Sequence, residues 1–298
     1  MKRVLVTGAT GFIGRACLAP LHAYGFEIHA TSHARPVDDR DGVVWHRADL
    51  LADDPRALIA AVAPSHLLHL AWYAVPGAYW TSRENVKWVR ASLALYEAFV
   101  AGGGTRLVMG GSSAEYDWSA GTCREGETPL APSTYYGTCK VALEATVAAD
   151  ARVAGVGASW ARFFFLYGPH EYPQRLISSA ILALLRGETA RCSPGTQRRD
   201  FLHVADAAAA TVALLDSDVR GPVNIGSGAA VTVRSIVERV AELVGVPGRA
   251  DFGALPADPV PLVVADVRRL RDEVGFVPPL THDERLHETI DWWREQLP

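Results

Sequence analysis

Gly8, Gly11 and Gly14 constrain this chain more than any other feature, in the run Val4-Leu5-Val6-Thr7-Gly8-Ala9-Thr10-Gly11-Phe12-Ile13-Gly14. An apolar run stops at the first glycine and an apolar-periodic segment starts around the last. That is the pattern of a buried parallel strand, a tight turn and a helix. Gly8 permits a turn that a Cβ would forbid, Gly11 lets backbone N–H groups approach a pyrophosphate, and Gly14 lets the helix pack closely on the sheet. The spacing is G-x-x-G-x-x-G rather than the dinucleotide fingerprint G-x-G-x-x-G, and a glycine triplet alone also marks turns that bind nothing. Its place between a strand and a helix favours the binding turn.

The first half of the chain alternates strand and helix, as a parallel sheet covered on both faces requires. Helices are expected over 12–24, 53–62, 81–101 and 135–153, and strands over 26–31, 43–46, 66–71, 107–109 and 156–165. Later periodicity predicts helices over 174–186, 206–215, 232–244 and 283–295, an extended stretch at 201–204, and a strand at 222–225 that returns to the main sheet. The expected division is a nucleotide domain over 1–166, rejoined by 201–226, and a smaller substrate-binding cap over 167–200 and 227–298.

Composition excludes several classes. With 298 residues, 49% hydrophobic, 21% charged and a net charge of -4, the chain is expected to be globular, with no nucleic acid as partner. Cys17, Cys123, Cys139 and Cys192 have no metal spacing and read as reduced thiols. No apolar stretch reaches the length of a membrane span. A cytoplasmic location and no metal are expected.

Tyr136 and Lys140, four apart, share one face of the 135–153 helix. A phenol with a reference pKa of ~10 is a poor acid or base at neutral pH, and a neighbouring ammonium favours its phenolate. An exposed Tyr and Lys is the usual meaning of such a pair alone. Downstream of the glycine turn and the serines of 107–113, it reads as an acid–base pair. Tyr135 is the rival, but Cys139 occupies the position four residues on.

Thr7-Gly8-Ala9-Thr10-Gly11-Phe12-Ile13-Gly14, Tyr136-x-x-x-Lys140 and Met109-Gly110-Gly111-Ser112-Ser113-Ala114-Glu115-Tyr116 resemble the extended short-chain dehydrogenase/reductase family. The resemblance implies an α/β, Rossmann-type doubly wound parallel sheet with a smaller C-terminal cap. It implies catalysis by Ser112, Tyr136 and Lys140, with Ser113 the alternate serine and a strand-end hydroxyl the competing explanation for it. For the cofactor it implies Gly8, Thr10, Gly11, Phe12, Ile13, Gly14, Asp49, Leu50, Leu70, Ala71, Trp72, Asn85 and Phe163, besides Tyr136 and Lys140, with Asn85 steadying the active-site backbone. On the substrate side stand Trp72, Ser112, Ser113, Phe165 and Arg199, the arginine on a substrate diphosphate.

Departures from the family pattern narrow the activity. Ser113-Ala114 stands where family dehydratases carry Asp-Glu. Ala114 stands where epimerase-reductases carry a Cys, although His170 resembles their His; without that partner His170 reads as structural. Phe165 replaces an Asn, and 253–260 lacks a second arginine, for which Arg175, Arg191 or Arg198 could compensate. Trp72, Tyr73, Trp80 and Trp118 are expected to roof the pocket or to pack between domains.

At the end of the second strand no acid stands ready for a ribose 2′-OH. Ser32, His33 and Arg35 instead suit a 2′-phosphate, with a solvated loop charge the other meaning of Arg35. NADP(H) is the expected cofactor and NAD(H) the alternative. The resulting expectation is an NADPH-dependent reductase of a nucleotide-activated 4-keto-6-deoxy sugar, a homodimer through the helices 81–101 and 135–153. The alternatives are a nucleotide-sugar 4-epimerase holding NAD, a reductase of a non-sugar ketone, and a non-enzymatic dinucleotide sensor.

Overall fold

The computed structural model describes residues 2–33 and 42–297; Arg35 lies outside the described residues. The elements alternate as periodicity predicts: β1 (Arg3–Thr7), α1 (Phe12–Ala23), β2 (Glu27–Ser32), β3 (Val43–Arg47), α2 (Pro55–Val62), β4 (His66–His69), α3 (Glu84–Ala101) and β5 (Arg106–Ser112). Next come β6 (Thr122–Cys123), α4 (Tyr135–Ala154), β7 (Gly157–Phe163), β8 (Phe165–Tyr167), α5 (Leu176–Leu185), β9 (Ala190–Cys192) and β10 (Arg198–His203). The chain ends with α6 (Val204–Asp216), β11 (Gly221–Ile225), β12 (Ala230–Thr232), α7 (Val233–Val244), β13 (Ala250–Phe252), β14 (Leu262–Ala265), α8 (Arg268–Asp272) and α9 (His282–Glu295).

A seven-stranded sheet runs in the order β11-β7-β5-β4-β1-β2-β3, parallel throughout. Because side chains alternate along a strand, each central strand feeds two cores. Val4, Val6, Leu68 and Val108 pack with Cys17 and Leu21 of α1 and with Ala207 to Leu215 of α6. Leu5, Leu67, Leu107 and Met109 pack on the other face with Leu95 and Phe99 of α3 and Leu143 and Val147 of α4. The sheet is therefore doubly wound. Its strand order reverses between β1 and β4, which opens a crevice at their C-terminal ends.

Capping chemistry sets several boundaries. Asp54 accepts from the Arg56 amide at 3.0 Å ahead of Pro55, so α2 starts two residues later than the periodicity predicts. Gly155 closes α4 in the left-handed region at φ 73°.

The stretch expected as one strand over 156–165 is two. Phe164 hands the chain from the main sheet to a second one, ordered β12-β10-β14-β6, in which β8 pairs with the far half of β10. Continuous apolarity gives no sign of this, because both halves are buried. Phe201 of β10, with α5, α7 and α9, encloses a separate apolar core around Ile181, Val237 and Ile290. α6 and β11 return to the main sheet.

Candidate active site

The glycine turn works as steric logic demands. Gly8 sits at φ +72°, and a Cβ on it would come within 2.7 Å of the Ala71 amide. A Cβ on Gly14 would meet the Gly8 carbonyl at 2.2 Å. Gly11 caps α1 without a side-chain partner, leaving first-turn N–H groups facing the crevice. A cleft of about 710 Å³ opens there.

Gly8, Thr10, Gly11, Phe12, Ile13 and Gly14 line one part of this cleft. Ser32, His33, Asp49 and Leu50 line a second part, and Leu70, Ala71, Trp72, Ser112, Tyr136 and Phe163 a third. His33 Nδ1 lies 3.7 Å from Asp49 Oδ2, so β3 brings an acid beside the end of β2 that sequence spacing does not show. A second cavity of about 500 Å³ contains Ser113, Phe165 and Arg199 and shares Ser112, Tyr79, Phe164, Glu171 and Arg175 with the first.

Tyr136 stands against this shared wall. Its amide donates to the Trp80 carbonyl at 3.1 Å, and the Tyr79 ring meets its own edge-on at 5.0 Å. Burial pushes the phenol up, with a Ser112 hydrogen bond working the other way, so the free site holds a neutral phenol. Lys140 is buried below it. Its ammonium donates to the Gly110 carbonyl at 2.7 Å and sits 3.7 Å from the centre of the Trp72 ring. Burial pushes this amine down to about 7, and Glu115 acts in the opposite direction. His69 is sealed between Thr7 Oγ1 at 2.6 Å and Ser92 Oγ at 2.7 Å; burial first, then the Lys140 charge, push it down to about 3.

Ser112 is oriented by Glu115, which no motif spacing singles out. Glu115 Oε1 accepts from the Ser112 amide at 2.8 Å, and Ser112 Oγ accepts from Ala114 at 3.2 Å, a reciprocal capping box. Arg162 Nε donates to Glu115 at 2.6 Å, and its other nitrogens reach Tyr116 and Glu144. The available signal was a charge in the apolar run Trp160-Ala161-Arg162-Phe163. Such a charge needs a buried partner.

Some expected residues stand elsewhere. Asn85 does not line the cleft: Oδ1 accepts from Trp72 Nε1 at 2.8 Å, and Nδ2 donates to the Tyr79 and Ser82 carbonyls at 2.7 and 2.9 Å. It therefore steadies the loop after β4. Arg199 lines the second cavity but is nearly buried and already engaged, donating to Asp258 at 2.6 Å and to the Val260 carbonyl at 2.8 Å. His170 lies against Trp292, with ring centres 4.6 Å apart, outside both cavities. Glu171 was not expected. It is buried, accepts from Ser178 Oγ at 2.6 Å, and is pushed up by burial to about 7.

Among the described residues no cluster could hold a metal ion, the four cysteines are buried and free, and no helix is long and apolar enough to cross a membrane.

A crevice at a strand-order reversal, bordered by a glycine turn, Ser112 and Tyr136, with Lys140 buried behind Trp72, defines a dinucleotide-dependent enzyme. The model of the NAD dependent epimerase/dehydratase family matches residues 4–226, and the chain belongs to that family. It is an NAD(P)-dependent oxidoreductase of the extended short-chain dehydrogenase/reductase type. The dTDP-6-deoxy-L-talose 4-dehydrogenase (NAD(P)(+)) of Kitasatospora kifunensis is 31% identical over 96% of this chain and 94% of its own. UDP-glucuronic acid decarboxylase 1 of Xenopus tropicalis is 27% identical over 99% of this chain and 73% of its own. The structure of MoeE5 in complex with UDP-glucose and NAD is 33% identical with a TM-score of 0.86, covering 99% of this chain and 100% of that one.

The residues present fit a nicotinamide dinucleotide, since the turn that Gly8 and Gly14 allow to pack tightly borders the cleft and α1 begins there without a side-chain cap on its first N–H groups.

Proposed function

We propose that the chain is a ketoreductase acting at C4 of a nucleotide-activated 4-keto-6-deoxy sugar, with NADP(H). The observation that carries this reading is the place of Ser112 and Tyr136. Ser112 belongs to both cavities, and Tyr136 borders the first beside it. The Kitasatospora relative, a 4-dehydrogenase of a 6-deoxy sugar, supports the substrate class.

A bound nicotinamide supplies the hydride. The neutral Tyr136 phenol gives its proton to the carbonyl oxygen while Ser112 Oγ donates a hydrogen bond to the same oxygen. The phenolate left behind faces the Lys140 ammonium, 5.9 Å from its ring centre, and that ammonium would also hydrogen-bond the nicotinamide ribose. Thr10, Phe12 and Ile13 follow the pyrophosphate, and Asp49 and Leu50 flank the adenine. Leu70, Ala71, Trp72 and Phe163 flank the nicotinamide. Ser32 and His33 hold the 2′-phosphate. In the cap, formed by residues 167–200 and 227–298, Arg199 exchanges Asp258 for the substrate diphosphate, with Ser113 and Phe165 beside it. The protein acts as a cytoplasmic homodimer through α3 and α4.

The test is NADPH oxidation with dTDP-, UDP- and GDP-linked 4-keto-6-deoxy hexoses, each repeated with NADH. Failure with all of them removes the sugar reading and leaves a non-sugar ketone. The second reading, a 4-epimerase with tightly held NAD, draws on the NAD complex of MoeE5. Protein that purifies with NAD and interconverts UDP-sugars without added cofactor selects it.

A further inference from the structure

We propose that Trp72 is a positioning residue for Lys140: the indole face and the Gly110 carbonyl together seat the ammonium in its charged form, buried behind the wall of the cleft that Trp72 borders. The ammonium is 3.7 Å from the ring centre and 2.7 Å from the carbonyl oxygen. Lys140 is buried, and among the described residues no carboxylate lies within ion-pair distance of it. A buried cation without a carboxylate partner loses its proton readily. The titratable groups around it do little to prevent that. His69 of β4 is buried with both ring nitrogens engaged, Tyr136 of the same helix is a neutral phenol, and Glu115 after β5 is spent on Ser112, Trp160 and Arg162. Glu115 favours the charge from a distance, the Gly110 carbonyl accepts from it and the Trp160 ring stands 5.8 Å away; of the aromatic faces Trp72 is much the nearest, at 3.7 Å, and desolvation strengthens that attraction.

Trp72 is itself held in place. Its Nε1 donates to Asn85 Oδ1 at 2.8 Å, and the fully buried Asn85 is tied in turn to the Tyr79 and Ser82 carbonyls. The indole therefore meets Lys140 with a fixed face. Although Trp72 borders the cleft, its effect on the reaction runs through the lysine.

The sequence contains three lysines, Lys2, Lys87 and Lys140, so protein labelled with 13C at lysine Cε resolves the buried one. Mono-, di- and tetrafluorotryptophan placed at position 72 weaken the ring face at nearly constant shape. The Lys140 midpoint is expected to fall stepwise, by about one pH unit across the series, with a smaller fall in Trp72→Phe. A midpoint that stays fixed in the fluorinated series and in Trp72→Phe overturns the proposal. So does an unmoved midpoint accompanied by a higher KM for the ketone, which makes Trp72 a substrate contact.

A kinetic arm rests on the ketoreductase reading: the alkaline limb of kcat moves down with the midpoint. If the midpoint falls and the limb stays, the Trp72–Lys140 coupling stands and the role given to the lysine charge in the reaction falls.

Discussion

Arg162 reaches from β7 beneath the active-site turn and donates through Nε to Glu115 at 2.6 Å, with both side chains sealed from solvent. Glu115 passes this on to the Ser112 amide, so a buried ion pair fixes the serine beside Tyr136. Glu144 shares the same guanidinium, and burial pushes its carboxyl up. Arg162→Leu leaves two buried carboxyls without their cation and is expected to cost about 3–5 kcal/mol, read from urea unfolding at pH 7. Glu115→Gln keeps the shape and is expected to cost less.

Tyr136→Phe removes the proposed proton donor while leaving the glycine turn intact. Turnover is expected to fall 10²–10⁴-fold, with the cofactor Kd by fluorescence within about threefold. Ser112→Ala is expected to lower kcat by about 10–100-fold, the worth of one hydrogen bond to a charged oxygen.

Lys140 sets a link between pH and stability. Burial holds its folded value down at about 7, against ~10.4 for an unfolded lysine. The unfolded chain therefore binds the extra proton between those values, and stability rises with pH through that window. Below about pH 7 both states carry the charge and the folded state bears the full burial cost. Lys140→Met is expected to be inactive and more stable by about 1–4 kcal/mol below pH 7, the gain shrinking as pH rises toward 10. Urea midpoints across that range check the sign.

Arg199 is presented by β10 and shared with Asp258. If it takes a diphosphate, Arg199→Lys loses the two-pronged contact, and the substrate KM is expected to rise about 10–100-fold with kcat little changed. Initial rates over a range of substrate concentrations separate the two constants.

His33 stands at the edge of β2, 80% exposed. His33→Asp places an acid where a ribose 2′-OH would meet it and a 2′-phosphate would be repelled. The ratio of kcat/KM for NADPH over NADH is expected to fall about 10–100-fold.

Much of the site was legible because local rules carry it. The glycine spacing encodes the turn, four-residue spacing puts Tyr136 and Lys140 on one face of α4, and the acid-free end of β2 can be read in the sequence. Glu115 and Arg162 were harder, since a charge in an apolar run predicts that a partner exists without naming it. The break at Phe164 left no trace, because residues buried in either sheet look equally apolar. Asn85 and Arg199 were placed by resemblance, and the structure shows what each holds: Trp72 with the loop after β4, and Asp258 with Val260.

The sequence by itself determined the doubly wound sheet, the glycine turn and the helix that puts Tyr136 and Lys140 on one face, since period, spacing and steric freedom act over a few residues. Only the tertiary structure decided which side chains meet across the chain: Asp49 beside His33, Glu115 on Arg162, Trp72 against Lys140. Those contacts join residues brought together by sheet order and by burial, and the cost of an unpartnered buried charge decides which pairs form there.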